Sequence, residues 1–268
     1  MEGAVILPRL GSQKDTGYLD SAALIARLTE QYEQLDLPER LIMARREISG
    51  HIVFTTSFGI EDQAITHAIF SRGIDIDVVT LDTGRLFPET VEVWAETERR
   101  YGRAIRGLAP DRDGIERLVE RDGVSGFRRS LEARLACCAV RKVAPLARAL
   151  AGASAWITGL RASQSRERAS MTYAGIDPHY RIIKLNPLFD WKRDRVVAFV
   201  RDGGVPYNPL HDQGFLSIGC APCTRAVAPG EPERAGRWWW EQEEKTECGL
   251  HAGHPAWRPE SHQSVVGL

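Results

Sequence analysis

His51-Ile-Val-Phe-Thr-Thr-Ser-Phe-Gly-Ile-Glu-Asp62 starts as a β-branched and aromatic run, stops at Gly59 and gives way to a helix-like Gln63 to Phe70. A short apolar run ended by glycine predicts a buried strand turning into a helix. The unit repeats downstream. Asp77-Val-Val-Thr-Leu-Asp82 is a second strand ending at Thr83-Gly84, and Pro88 opens a helix through Tyr101, proline being tolerated in a first turn. Ala155-Trp-Ile-Thr158 and Arg181-Ile-Ile-Lys184 are two more strands, and helical spacing covers 114–121, 139–150 and 191–201. Strands alternating with helices predict an α/β fold with a doubly wound, mostly parallel sheet. Ligands of such sheets bind beyond the carboxyl ends of strands, here Ser57 to Asp62, Asp82 to Leu86 and Gly159 to Arg161.

Outward from this centre, apolar residues recur at helical spacing from Asp20 to Leu37, and a second helix follows from Pro38 to about Ile48. The first twenty residues have no clear period and read as a loose lead-in. From about Pro206 the regular pattern fades into an extension rich in Pro, Gly, Cys, Trp and Glu.

The 268 residues carry 35 Lys+Arg against 36 Asp+Glu, a formal charge of −1. That balance argues against a nucleic-acid binder, which carries a basic excess. No apolar stretch approaches the ~18 residues of a membrane span, and Met1 to Leu10 does not read as a signal peptide. Five cysteines are too few, and odd in number, for a secreted disulfide scaffold; the expected compartment is the cytoplasm.

The cysteines stand as a vicinal pair, Cys137-Cys138, a C-x-x-C, Cys220-Ala-Pro-Cys223, and a lone Cys248. Two close pairs can ligate a metal or an iron–sulfur cluster. Adjacent side chains point apart, which suits the separated irons of a cluster better than one zinc ion. The alternatives are buried core thiols and a dithiol redox pair, although the C-x-x-C lacks a strand leading into a helix. Cys248, beside Gly249 and His251, is either a nucleophile or an idle surface thiol.

Only five of the basic residues are Lys; Arg suits forked contacts to phosphate and sulfate oxygens. Arg161 to Arg168 holds three Arg, and Arg225, Arg234 and Arg237 follow the C-x-x-C. A solvated face explains any one cluster, whereas arginines beside glycine loops and thiols favour an anionic substrate. Ser57 and the amides of its loop can hold an anion, or Gly59 serves only the turn. Of Trp238-Trp-Trp240, at least one is expected to pack under the extension and another to shield a site.

From about His51 to His251 the chain resembles the assimilatory adenylyl-sulfate (APS) reductases, the thioredoxin-dependent, iron–sulfur branch of the phosphoadenylyl-sulfate reductase family. The resemblance rests on Ser57 to Asp62, Leu81-Asp-Thr-Gly-Arg-Leu-Phe-Pro-Glu89, Cys137-Cys138, Ile218-Gly-Cys-Ala-Pro-Cys-Thr-Arg225, Arg234-Ala-Gly-Arg-Trp-Trp-Trp-Glu241 and Glu247-Cys-Gly-Leu-His251. It implies a sheet of the adenine-nucleotide alpha-hydrolase-like type. It divides the chain into a helical lead-in (1–50), a nucleotide-binding domain (51–205) and a cluster and catalytic-cysteine extension (206–268). Cys137, Cys138, Cys220 and Cys223 would hold a [4Fe–4S] cluster, and Cys248 would be the nucleophile. Ser57, Phe58, Gly59, Asp62, Leu81, Thr83, Gly84, Arg85 and Gly159 would line the nucleotide. Lys142, Arg161, Arg168, Arg234, Arg237 and His251 would bind its anionic part, with Lys142 linking cluster and substrate. The implied partners are adenosine 5′-phosphosulfate, thioredoxin or a glutaredoxin-like reductant, and further copies of the chain. One departure is Leu160-Arg-Ala-Ser-Gln-Ser165, where the family often reads Arg-Arg-Asp-Gln-Ser and the stretch to the next Arg is one residue shorter; Arg166 and Arg168 compete for one role. Competing functions are a 3′-phosphoadenylyl-sulfate reductase, a tRNA-thiolating enzyme of related fold, whose Ser-Gly-Gly-x-Asp-Ser loop this chain lacks, and a non-catalytic metal module.

Overall fold

The computed structural model describes residues 13–241. Six strands form one sheet: β1 (His51–Thr56), β2 (Asp77–Leu81), β3 (Arg106–Leu108), β4 (Ala153–Ile157), β5 (Ala174–Ile176) and β6 (Ile183–Leu185), in the order β3-β2-β1-β4-β6-β5. All pairings are parallel except β5 with β6. The expected doubly wound, mostly parallel sheet is therefore present. β3 and β5 are only three residues long, too short to leave a periodic signal.

The helices are α1 (Gln13–Tyr32), α2 (Leu37–Glu47), α3 (Ile60–Ser71), α4 (Pro88–Tyr101), α5 (Arg112–Asp122), α6 (Leu131–Cys138), α7 (Ala144–Ala149) and α8 (Arg193–Asp202). α1 begins inside the stretch expected to be a loose lead-in. Local chemistry sets several ends. Asp36 accepts from the Glu39 amide at the start of α2, Pro88 opens α4, and Gly102 closes it in the left-handed region at φ 61°; Gly reaches that region without a Cβ penalty.

Strand alternation sends residues to two cores. Ile52, Phe54, Ala155 and Ile157 face the larger one, shared with α1, α2, α3 and α8, while Val53, Val79 and Trp156 face Leu146 and Ala149 of α7. Arg40 of α2 is buried in the first core. Its Nη1 lies 2.6 Å from Asp190 Oδ1 and its Nε donates to the Tyr32 carbonyl at 3.0 Å, which fastens the amino-terminal helices to the loop after β6.

From β1 the chain builds β2 and β3 on one side, then returns to place β4 and β6 on the other. The switch point lies between β1 and β4, where open α/β sheets bind ligands. Beyond Asn208 the described chain has only short 3₁₀ turns and an isolated bridge between Thr224 and Arg237.

Candidate active site

A cleft opens at the carboxyl ends of β1, β2 and β4 and is roofed by the chain from His211 to Trp238. The loop after β1 forms its floor. Ser57 donates to Asp62 Oδ2 from both its amide and its hydroxyl, at 2.6 and 2.7 Å. Phe58 sits at φ 58°, uncommon for a residue with a side chain. It is held there by its amide's bond to Thr56 Oγ1 (3.0 Å) and by its ring stacked on Trp94. Across the switch point, a Cβ on Gly159 would collide with Asp62 Oδ1, so glycine is needed for the two loops to meet. Burial pushes the Asp62 carboxyl up to about 6, against the lowering effect of the Ser57 bonds.

Of the residues expected to bind substrate, Ser57, Phe58, Gly59, Asp62, Leu81, Thr83, Lys142, Gly159, Arg168, Arg234 and Arg237 line the cleft. Arg166 does not. Gly84 and Arg85 lie outside it: Arg85 donates to the Val124 carbonyl (2.6 Å) and stacks over Phe127. Arg161 is also turned away. Its side chain is 1% exposed and committed to two carboxylates, Glu61 (2.9 Å from Nε) and Glu233 (2.6 Å from Nη2), with Ser163 at 2.7 Å. It ties the start of α3 to the extension. Burial pushes Glu61 up, but Arg161, a backbone hydrogen bond and Arg193 together outweigh it and hold the carboxyl below its usual range; burial and Glu61 hold Glu233 above it.

Lys142, Arg168, Arg234 and Arg237 bring four cations to one cleft. Arg237 packs under Trp238 and donates to the Ile218 carbonyl, yet its buried Nε has no hydrogen-bond partner. A buried donor left unmade costs free energy that an anionic ligand would recover. A Cβ on Gly219 would collide with the Arg237 guanidinium, so the Gly before Cys220 serves that arginine.

The thiols gather at one end of the cleft. Cys220 and Cys223 are buried with Phe127 and Trp238, and Cys137, Cys138 and Trp240 pack against them. The vicinal pair ends α6, and a π-helical turn (Ala139–Val143) follows. Such turns often mark functional sites. This one carries Arg141, whose Nη1 donates to the Thr83 carbonyl at 2.7 Å, and Lys142. The Cys220 thiol donates to Thr83 Oγ1 at 3.3 Å. Burial raises Cys223 to about 11 and raises Cys137 against the pull of Arg141 and Arg85. Among the described residues no three His, Cys, Asp or Glu side chains close on one metal ion. A four-iron centre takes one thiolate per iron and spreads its ligands, and four thiols gathered in an aromatic pocket with cations nearby fit it. Trp239 is 41% exposed, whereas Trp238 is buried at the cleft. Cys248 and His251 lie outside the described residues.

Sequence reading overlooked Glu61, Glu233 and His211. His211 lines the cleft and bonds to the Ile60 amide 151 positions away, a pairing without a local signal.

The Phosphoadenosine phosphosulfate reductase domain family matches residues 51–226. An adenosine 5′-phosphosulfate reductase of Agrobacterium fabrum is 53% identical over 87% of this chain and 87% of its own. One of Allochromatium vinosum is 51% identical over 85% of this chain and 89% of its own. A crystal structure of the phosphoadenylyl-sulfate reductase of Candida auris, in a phosphate complex, aligns with TM-score 0.61 at 24% identity, covering 84% of this chain and 100% of that one; it establishes the shared fold. The chain belongs to the phosphoadenosine phosphosulfate reductase family.

Proposed function

We propose that this protein reduces adenosine 5′-phosphosulfate to sulfite and AMP in sulfate assimilation, with thioredoxin or a glutaredoxin-like protein as reductant. The observation that carries the proposal is the meeting of a four-cation cleft and four gathered thiols at the switch point of the sheet. Relatives above 50% identity that carry the name adenosine 5′-phosphosulfate reductase support the choice of substrate.

The Cys248 thiolate attacks the sulfur of the phosphosulfate. The bond from sulfur to the bridging oxygen breaks, its electron pair leaves with AMP, and Cys248 becomes an S-sulfocysteine. Lys142, Arg168, Arg234 and Arg237 stabilise the charge that grows on the departing phosphate. A reductant thiolate then attacks the Cys248 sulfur and releases sulfite. The second thiol of the reductant resolves the mixed disulfide and restores Cys248. A [4Fe–4S] centre on Cys137, Cys138, Cys220 and Cys223 would supply fixed charge beside Lys142. Among the described residues no helix is long and apolar enough to cross a membrane. The family resemblance supports a cytoplasmic homo-oligomer.

The test is sulfite release by purified protein from adenosine 5′-phosphosulfate with reduced thioredoxin, beside an iron and sulfide determination. Wild type is expected to turn over. Cys248→Ser should lose sulfite formation and keep its iron. Sulfite made by Cys248→Ser at the wild-type rate would overturn the nucleophile, and an inactive, iron-loaded wild type would overturn the function.

A further inference from the structure

His211 lies in the short turn Pro209–Gln213. Its Nδ1 is 2.7 Å from the Phe215 carbonyl oxygen, and its Nε2 is 3.1 Å from the Ile60 backbone nitrogen. A carbonyl only accepts and an amide only donates. Nδ1 therefore carries the proton, and Nε2 offers a lone pair. The imidazole is neutral and held in one tautomer by two partners from distant parts of the chain. Both nitrogens are committed, so His211 has no proton to give a leaving group.

Both partners matter to the cleft. Ile60 is the first residue of α3, and Gly59 before it has no side chain to cap the helix. The amides of a first helical turn have no intrahelical acceptor, and His211 supplies one from across the fold. Phe215 sits at the base of Leu216 to Cys220, which lines the opposite wall. Arg193, at the start of α8, fixes the next carbonyl, donating to Leu216 at 3.1 Å. One imidazole thus spans the floor loop, which carries Ser57 and Asp62, and the wall that leads into Cys220.

We propose that His211 is a positioning residue for nucleotide binding: a neutral strut that sets the distance between the loop after β1 and the segment ahead of the C-x-x-C. The inference rests on the function proposed above for its substrate. Because it concerns the shape of the cleft, it falls on binding more than on the chemical step.

Asparagine and glutamine separate the two bonds. Asn places an amide nitrogen where Nδ1 is and keeps the donor to Phe215. Gln reaches as far as Nε2 and keeps the acceptor for Ile60. His211→Asn should raise KM for adenosine 5′-phosphosulfate and Kd for AMP about tenfold, with kcat changed by less than about twofold, the pattern of lost binding common to ground and transition states. His211→Gln breaks the bond to Phe215 instead and should raise both constants about as much. The visible absorption of the iron-loaded protein should not change in either variant. Wild-type constants in either variant, or a loss confined to kcat, would overturn the strut. If one variant fails to fold, the AMP affinity of the other decides: about tenfold weaker supports the strut, and near wild type overturns it. AMP affinity needs no turnover, so an enzyme inactive on the phosphosulfate would sink the function while the comparison of variants still tested His211.

Discussion

Replacing Arg161 with Met tests whether the buried ion network joins the extension to the nucleotide loop. Arg161 is 1% exposed, and its two carboxylate partners, Glu61 and Glu233, have side chains 10% and 15% exposed. Removing one member of a buried pair costs about 3–5 kcal/mol, mostly because the charge left behind has no partner. Arg193 lies 3.6 Å from Glu233 and relieves part of that penalty, so the low end, about 3 kcal/mol, is expected. For a fold of this size, Tm moves by about 2–4 °C per kcal/mol, a fall of about 6–12 °C. The assay is thermal melting of the purified protein at neutral pH, followed by circular dichroism. A second variant isolates the cause. Arg161→Met with Glu61→Gln and Glu233→Gln removes the two carboxylates that the single variant strands, at the cost only of the Glu233 contact to the 20% exposed Arg193, and should regain most of the loss, since buried ionic groups replaced as a unit are often nearly neutral. An Arg161→Met protein melting within about 2 °C of wild type would refute the reasoning. So would a triple variant less stable than the single one.

Two further outcomes follow from the cleft. Asp62 holds its proton up to about pH 6, against 3.8 ordinarily, so between those values the native state binds more protons than the unfolded one. Its contribution to stability is full below the lower value and is lost as pH rises through the upper one, an amplitude of about 3 kcal/mol. Asp62→Asn removes the titration, so its Tm relative to wild type should climb from pH 4 to pH 7; a constant difference would contradict the assignment. Arg237→Met removes the guanidinium whose Nε is buried without a partner. It should weaken AMP binding by about tenfold to a hundredfold, the worth of a hydrogen bond to a charged group; unchanged AMP affinity in a calorimetric titration would show that the anion sits elsewhere.

What the sequence made legible, and what it hid, divides along chain separation. β1 and β2 are apolar runs closed by glycine, and the loops that follow them are contiguous, so both fold and cleft floor are readable from 51–86. The cysteine pairs are readable because each is local, although α6, which carries one of them, has no clear period. The partners of Arg161 are not readable. An arginine beside a strand end looks like an anion ligand, and only the fold shows that Glu61 and Glu233, 100 and 72 positions away, take its donors. His211 is hidden in the same way. A lone histidine in a Pro-rich turn carries no pattern, and its meaning lies in an amide 151 positions earlier. The local motifs supply the groups that touch an anion, and the long-range pairs fix how far apart those groups stand. A glycine loop and a C-x-x-C therefore identify a chemistry, while the spacing of the cleft walls depends on long-range pairs such as those of Arg161 and His211, whose partners no motif contains.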